Sequence, residues 1–286
     1  LKLESGIAPY KPRTDVLVTA TAFSPSGRGQ QHWDAAVHFG EISKSFTVTG
    51  PRVFSKSIGG YRLEKPQEAT SVPIRYELTY GGVSPTKDAW ERSDLIAANP
   101  AGVGYYPQPT GATLPAPQVL PHGRLQFHFG ERLDVVGLGP IPGHWAPRCE
   151  RVGTFDALWE RTRWPDLPED FSFAFYNTAS AGLTLPGFAT GREVVRLVNL
   201  TPEHNTVFQL PGFELATLLR FEDGNMVPGP IHLDTVHIDA EQTRVYLTWR
   251  GVFPVNLPLR VLEVRGKDAF ADRHSRSAQP ELSEVL

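Results

Sequence analysis

This chain of 286 residues has no apolar run approaching the roughly 18 residues that would span a bilayer, so no membrane span is expected. It has one cysteine, Cys149, and therefore no internal disulfide, which fits a cytoplasmic home. Neither sign of charge dominates: 28 Lys and Arg face 31 Asp and Glu, for a net charge of −3. Without a basic face there is no field to recruit nucleic acid or anionic lipid, and no nucleic-acid partner is expected. The one basic cluster, Arg148, Arg151, Arg161 and Arg163, alternates with Glu150, Asp156, Glu160 and Asp166, and reads as a solvated or internally paired surface. The text opens on Leu1 rather than Met, which leaves open an upstream natural start or a removed signal peptide.

Signatures of catalysis are missing too. The chain contains no G-x-S-x-G, H-E-x-x-H, C-x-x-C or phosphate-loop motif. Gly102-Val103-Gly104 and Gly137-Leu138-Gly139 begin like dinucleotide loops, but each runs into proline where a helix should start, so both read as turns. No cofactor is implied, and the chain reads as non-catalytic.

What is abundant is punctuation: 26 glycines and 26 prolines, set singly between apolar runs, with 40% hydrophobic and 10% aromatic residues. That mixture excludes a helical bundle and supplies a core, giving a folded, loop-rich, mainly β protein. Asp15 to Phe23 alternates as a strand, and Trp33–Phe39 and Ser43–Thr49 continue as an antiparallel meander. Strands return at 193–200, 206–210, 215–221, 232–239, 243–253 and 257–264, the pair around Ala240-Glu241-Gln242 reading as a hairpin. Between them, 81–150 is rich in Gly and Pro and reads as long ordered loops.

One helix is expected, over about 154–163. Thr154 is placed to cap it, Asp156 falls in its first turn, and Phe155, Leu158 and Trp159 form an apolar stripe to lay on a sheet. Trp164-Pro165 stops it. The architecture predicted is an antiparallel β-sandwich-like or two-sheet unit over 1–266, strand-rich near 15–80 and 190–265, with a flexible tail at 267–286.

Metal and nucleophile candidates are sparse. On a strand, His232 and Asp234 share one face and His237 and Asp239 the other, so neither pair completes a site without ligands such as His38 or His204. His232 and Asp234 are weak metal candidates, and exposed polar positions on a half-buried strand are the plainer reading. Cys149 reads as a buried structural residue, and Trp159 and Trp249 as core.

The segment GPIPGHWAPRCERVGTFDALWERTRWPDLPEDF, Gly139 to Phe171, is the most diagnostic. It carries Trp145 with Pro147-Arg148, then Gly153-Thr154-Phe155-Asp156 with Trp159, then Pro165, Leu167-Pro168 and Asp170-Phe171. In the same order stand Lys11-Pro12, Pro25-Ser26-Gly27, Gly50-Pro51-Arg52, Tyr76-Glu77 with Tyr80-Gly81-Gly82, Asn99-Pro100 with Gly102 and Gly104, and Asn199-Leu200-Thr201-Pro202. This series resembles a bacterial family long catalogued as a domain of unknown function and linked to type VI secretion, whose members act as adaptors or chaperones for toxic effectors. The resemblance implies a protein that binds one cognate effector and helps load it onto a VgrG-type spike or its PAAR-type tip. Tyr80, Gly81, Gly82, Asn99, Pro100, Gly102, Trp145, Arg148, Gly153, Thr154, Asp156, Trp159 and Asp170 would then be structural or partner-facing. Two other classes stay open: a carbohydrate-binding β-sandwich, and a metal-dependent hydrolase using His232 and Asp234.

Overall fold

The computed structural model describes residues 8–83, 94–253 and 257–267. Its first strands are β1 (Asp15–Thr19), β2 (Thr21–Phe23), β3 (His32–Phe39), β4 (Ile42–Thr49), β5 (Val53–Ser57), β6 (Gly60–Leu63) and β7 (Ser71–Pro73). Four short strands punctuate the stretch expected to be loops: β8 (Tyr80–Gly81), β9 (Val103–Gly104), β10 (Thr113–Pro115) and β11 (Val119–Pro121). After helix α1 (Ala157–Thr162) come β12 (Val194–Val198), β13 (Asn205–Gln209), β14 (Leu215–Phe221), β15 (Met226–Gly229), β16 (His232–Asp239), β17 (Arg244–Arg250) and β18 (Leu259–Gly266). The protein is mainly β, in several sheets consistent with a sandwich-like arrangement.

The largest sheet has the order β11-β4-β3-β12-β13, so the two strand-rich ends of the chain share it. Its inner face is the alternate set legible in the text: Trp33, Ala35, Val37 and Phe39 on β3, Phe46 and Val48 on β4, Val195 and Leu197 on β12, all buried. Against them pack Val16 and Val18 of β1 with Val236 and Ile238 of β16, closing one apolar core. A smaller cluster gathers Phe54, Tyr80, Leu114, Leu120, Phe127 and Leu133 under the loops.

Strand β1 departs from the expected pattern. The single strand over Asp15–Phe23 breaks at Ala20, and β1 runs parallel to β16, with Asp15 beside Thr235 and Thr19 beside Asp239. Its other edge is also taken, since Val16 N donates to Leu183 O at 2.8 Å and Val18 N to Leu138 O at 2.9 Å. A strand covered on both faces and both edges loses its alternation, and Asp15 is fully buried with its apolar neighbours. Similarly, the hairpin of β16 and β17 is observed, but the register slips between Leu233 and Thr235, leaving Asp234 as the extra residue of a bulge. Asp234, His237 and Asp239 are buried, which overturns the reading of exposed polar positions; only His232 is exposed.

The helix is shorter than expected, six residues rather than ten, and Asp156 caps it in place of Thr154. The Asp156 Oδ1 accepts from Leu158 N at 3.0 Å and Trp159 N at 2.8 Å. Thr154 is drawn away to Asp170, described below. The apolar stripe does not lie on a sheet: Phe155 is 53% and Leu158 59% exposed, while Trp159 is half-buried and donates Nε1–H to Asp166 O at 2.8 Å. Two further expectations fail nearby. Arg148 is buried rather than part of a surface, although Arg161 and Arg163 of the same cluster are exposed as expected, and Cys149 sits half-buried in a 3-10 turn (Cys149–Arg151). Apart from Lys267, the tail expected at 267–286 lies outside the described residues.

Candidate docking surface

The diagnostic segment forms a lobe whose interior is polar backbone clamped by arginine. Arg148 Nε donates to Phe175 O at 2.8 Å and Nη1 to Ile141 O at 2.6 Å, and its guanidinium lies 4.8 Å over the Phe175 ring. Burying a guanidinium is tolerable only when carbonyls and an aromatic face replace water, and here both do. Arg151 Nη1 adds a bond to Ala174 O at 3.0 Å. Together they join Ile141–Arg151 to Phe171–Tyr176.

Thr154 and Asp170 make the second clamp. Thr154 N donates to Asp170 Oδ1 at 2.9 Å and Thr154 Oγ1 to Asp170 Oδ2 at 2.8 Å, and these two bonds hold the Asp170 carboxyl below the usual aspartate range. Gly153 permits the approach: its φ is +76°, and a Cβ there would stand 2.7 Å from Asp170 Oδ1.

At the base, Trp145 is buried edge-on against Tyr76, with centroids 5.3 Å apart, and Ala146 N donates to Ala97 O at 2.9 Å. That bond ties the lobe to a knot centred on Asn99, which is wholly buried. Asn99 Nδ2 lies 2.8 Å from Tyr76 O, 2.8 Å from Thr79 Oγ1 and 3.1 Å from Tyr80 O. Gly81 and Gly102 press against Asn99, Gly82 adopts φ +129°, and Pro100 continues the turn from Asn99. Of the motif residues, then, Tyr80, Gly81, Gly82, Asn99, Gly102, Trp145 and Arg148 are framework, and Gly153, Thr154, Asp156 and Asp170 shape the lobe.

Among the charged side chains that the lobe presents outward, such as Glu160, Arg161, Arg163 and Asp166, stands a set of large apolar ones. Trp164 is 68% exposed, and Tyr10, Phe155, Leu158, Leu167 and Phe173 are exposed with it. Phe155 stands edge-on to Trp159 at 4.7 Å, Phe173 to Tyr10 at 5.5 Å and to Phe171 at 5.4 Å. The Thr154–Asp170 clamp carries the chain neighbours Phe155 and Phe171 onto the same lobe. Tyr10, Phe173 and Phe175 escaped the sequence reading, which took Phe171 only as a motif residue, although the spacing of the three phenylalanines was the available signal.

Beside Tyr10 a cavity of about 70 Å³ holds the metal candidates among Lys11, Phe188 and Arg250. The His232 ring stacks on Phe188 at 4.1 Å, and Asp234 is ion-paired to Arg250 and accepts from Thr235 Oγ1 at 2.9 Å. Burial pushes the Asp234 pKa up, while Thr235, Arg250 and Lys11 oppose it. The Asp234 carboxylate is thus engaged by Arg250, and among the described residues no three His, Cys, Asp or Glu side chains are grouped to hold a metal ion.

Among the described residues no helix is long and apolar enough to cross a membrane. No curated protein and no solved structure matches the chain. A family model described as an uncharacterized protein conserved in bacteria (DUF2169) matches residues 1–250, which takes in the lobe, the Asn99 knot and the whole of the largest sheet. The chain therefore belongs to this bacterial DUF2169 family.

Proposed function

We propose that this protein is a non-catalytic adaptor or chaperone that binds a cognate type VI secretion effector and promotes its loading onto the VgrG/PAAR spike, working in the cytoplasm. The observation that carries the docking part is the helix α1 lobe, where large apolar side chains face solvent although their backbone is fixed by two clamps. Exposed aromatic and leucine side chains on a pre-ordered frame suit protein recognition, because little side-chain or loop entropy remains to be lost on binding. The secretion role rests on the ordered motif series that resembles such adaptors.

The test has two arms. Deleting the gene should abolish delivery of one effector while tube protein is still secreted; loss of all secretion would make the chain a core component and defeat the reading. Leu158→Asp and Trp164→Ser should remove effector capture by purified protein with the melting temperature unchanged. Capture undiminished in both variants would place docking elsewhere.

A further inference from the structure

Arg52 is a buried cation without an anion. Only 5% of it is exposed, its Nη1 donates to Leu125 O at 2.9 Å, and its guanidinium lies 4.8 Å over the Phe127 ring. Nε and Nη2 find no partner among the described residues. Burial alone pulls its pKa down to about 10. Buried polar groups are almost always satisfied, and an orphaned pair on one guanidinium asks for an explanation.

The identity of the two atoms is informative. Nε–H and the adjacent Nη2–H form the side-on edge of a guanidinium, whose two parallel donors match the two oxygens of a carboxylate. Nη1, which cannot take part in that edge, is the nitrogen already spent. Residue 52 also helps to wall a cavity of about 460 Å³, a size suited to a small ligand, between β5 and the loops that follow β8. Val53, Leu78, Val103 and Pro115 give that cavity apolar sides. Lys65, exposed at the wall, makes no hydrogen bond or ion pair among the described residues. The one carboxylate there, Glu64, is engaged by the Ser55 hydroxyl and lies 3.6 Å from Arg62 Nη2. Arg52 and Lys65 thus bring two cations to the cavity wall without an acid of their own, the Arg52 guanidinium itself lying against Leu125 and Phe127.

We propose that this cavity receives a carboxylate carried on a compact apolar body, the carboxylate pairing with the Nε/Nη2 edge of Arg52 and the body filling the apolar walls, with Lys65 drawing the anion in. The source is either a free branched-chain acid or the C-terminal residue of a peptide. Both nitrogens are closed to solvent, so capture includes a turn of the Arg52 side chain toward the cavity. This site is separate from the lobe, and its fate does not depend on the secretion role.

The test uses 4-methylpentanoate and acetyl-Gly-Gly-Leu against their amides, 4-methylpentanamide and acetyl-Gly-Gly-leucinamide, titrated into the full chain. The Arg52 Nε–H resonance and the Val103 and Ala116 amides are followed by NMR. At least one carboxylate should shift these signals saturably, its amide binding about ten- to a hundredfold more weakly. Response to the acid alone identifies a metabolite-like ligand, and response to the peptide alone a chain terminus. Arg52→Gln should abolish the response; should that variant not fold, the surface variant Lys65→Glu, expected to weaken binding about tenfold, carries the test. Equal response to acid and amide, or no saturable shift with either carboxylate, overturns the proposal.

Discussion

Asp170 holds Thr154 by both of its oxygens, one on the backbone amide at 2.9 Å and one on the hydroxyl at 2.8 Å, across 16 residues of chain. Neither bond belongs to regular secondary structure, yet together they decide where α1 sits. Asp170→Ala should leave the sheets intact and expose the 153–170 loop, read as faster proteolytic cleavage there at unchanged global melting. The sign with pH follows from the lowered Asp170 pKa. Its contribution is present above the ordinary aspartate value of 3.8 and is lost as pH falls through the lower folded value, so acid should reproduce the variant's cleavage pattern in the parent chain.

Gly81 lies against Asn99 so closely that a Cβ would stand 2.1 Å from the Asn99 carbonyl oxygen. Gly81→Ala should cost about 2–3 kcal/mol in denaturant unfolding. Adding Asn99→Ala should not rescue it, because the worst contact is with backbone and the second substitution also removes the Nδ2 bonds. Rescue would mean that the loop relaxes.

Lys11 and Asp15 form an ion pair at 2.9 Å with 7% and 0% of their side chains exposed. Lys11 also reaches Thr235 Oγ1 at 2.9 Å, and Asp15 accepts from Asn177 Nδ2 at 2.9 Å and Thr178 N at 2.7 Å. Removing one partner leaves a buried charge uncompensated, so Lys11→Met should cost about 3–5 kcal/mol. The double variant Lys11→Met with Asp15→Asn should fall short of the sum of the singles by about 1–3 kcal/mol in urea unfolding.

Lys44 gives a pH dependence of the same sign in an alkaline window. Its Nζ donates to Ser180 Oγ at 2.9 Å and Ala181 O at 2.7 Å, neutral acceptors both, and burial lowers its pKa from 10.5 to about 8. Between those values the unfolded chain holds a proton that the folded chain has released, so stability rises with pH across that window. Relative to Lys44→Met, the parent chain should gain stability from pH 8 to 10.5 in denaturant melts. A flat difference would show the ammonium to be hydrated after all.

The strands of the largest sheet were legible in the text because β3 and the first half of β4 alternate between a wetter and a dry face, and alternation is the mark of that geometry. The same signal misled at β1 and β16, where both faces are covered and a bulge at Asp234 shifts the register. Phe155, Leu158 and Trp159 have helical spacing whether or not anything packs on them, so periodicity found the helix and misjudged its surroundings. Arg148 and Asp170 are ordinary surface residues in a text. Their roles arise from carbonyls 7 and 27 residues from Arg148 and from an amide and a hydroxyl 16 residues from Asp170, brought near only by folding.

What the sequence determined by itself was the class: a β protein with a real core, no disulfide, long shaped loops and one short helix. These follow from composition and local pattern, which act between neighbours in the chain. The tertiary structure decided which polar groups are buried, that Asp156 rather than Thr154 caps α1, that the aromatic lobe faces outward, and that Arg52 keeps a free edge. Each of those depends on which distant backbone atoms and side chains come within hydrogen-bonding reach, a property of the folded chain rather than of any stretch of it.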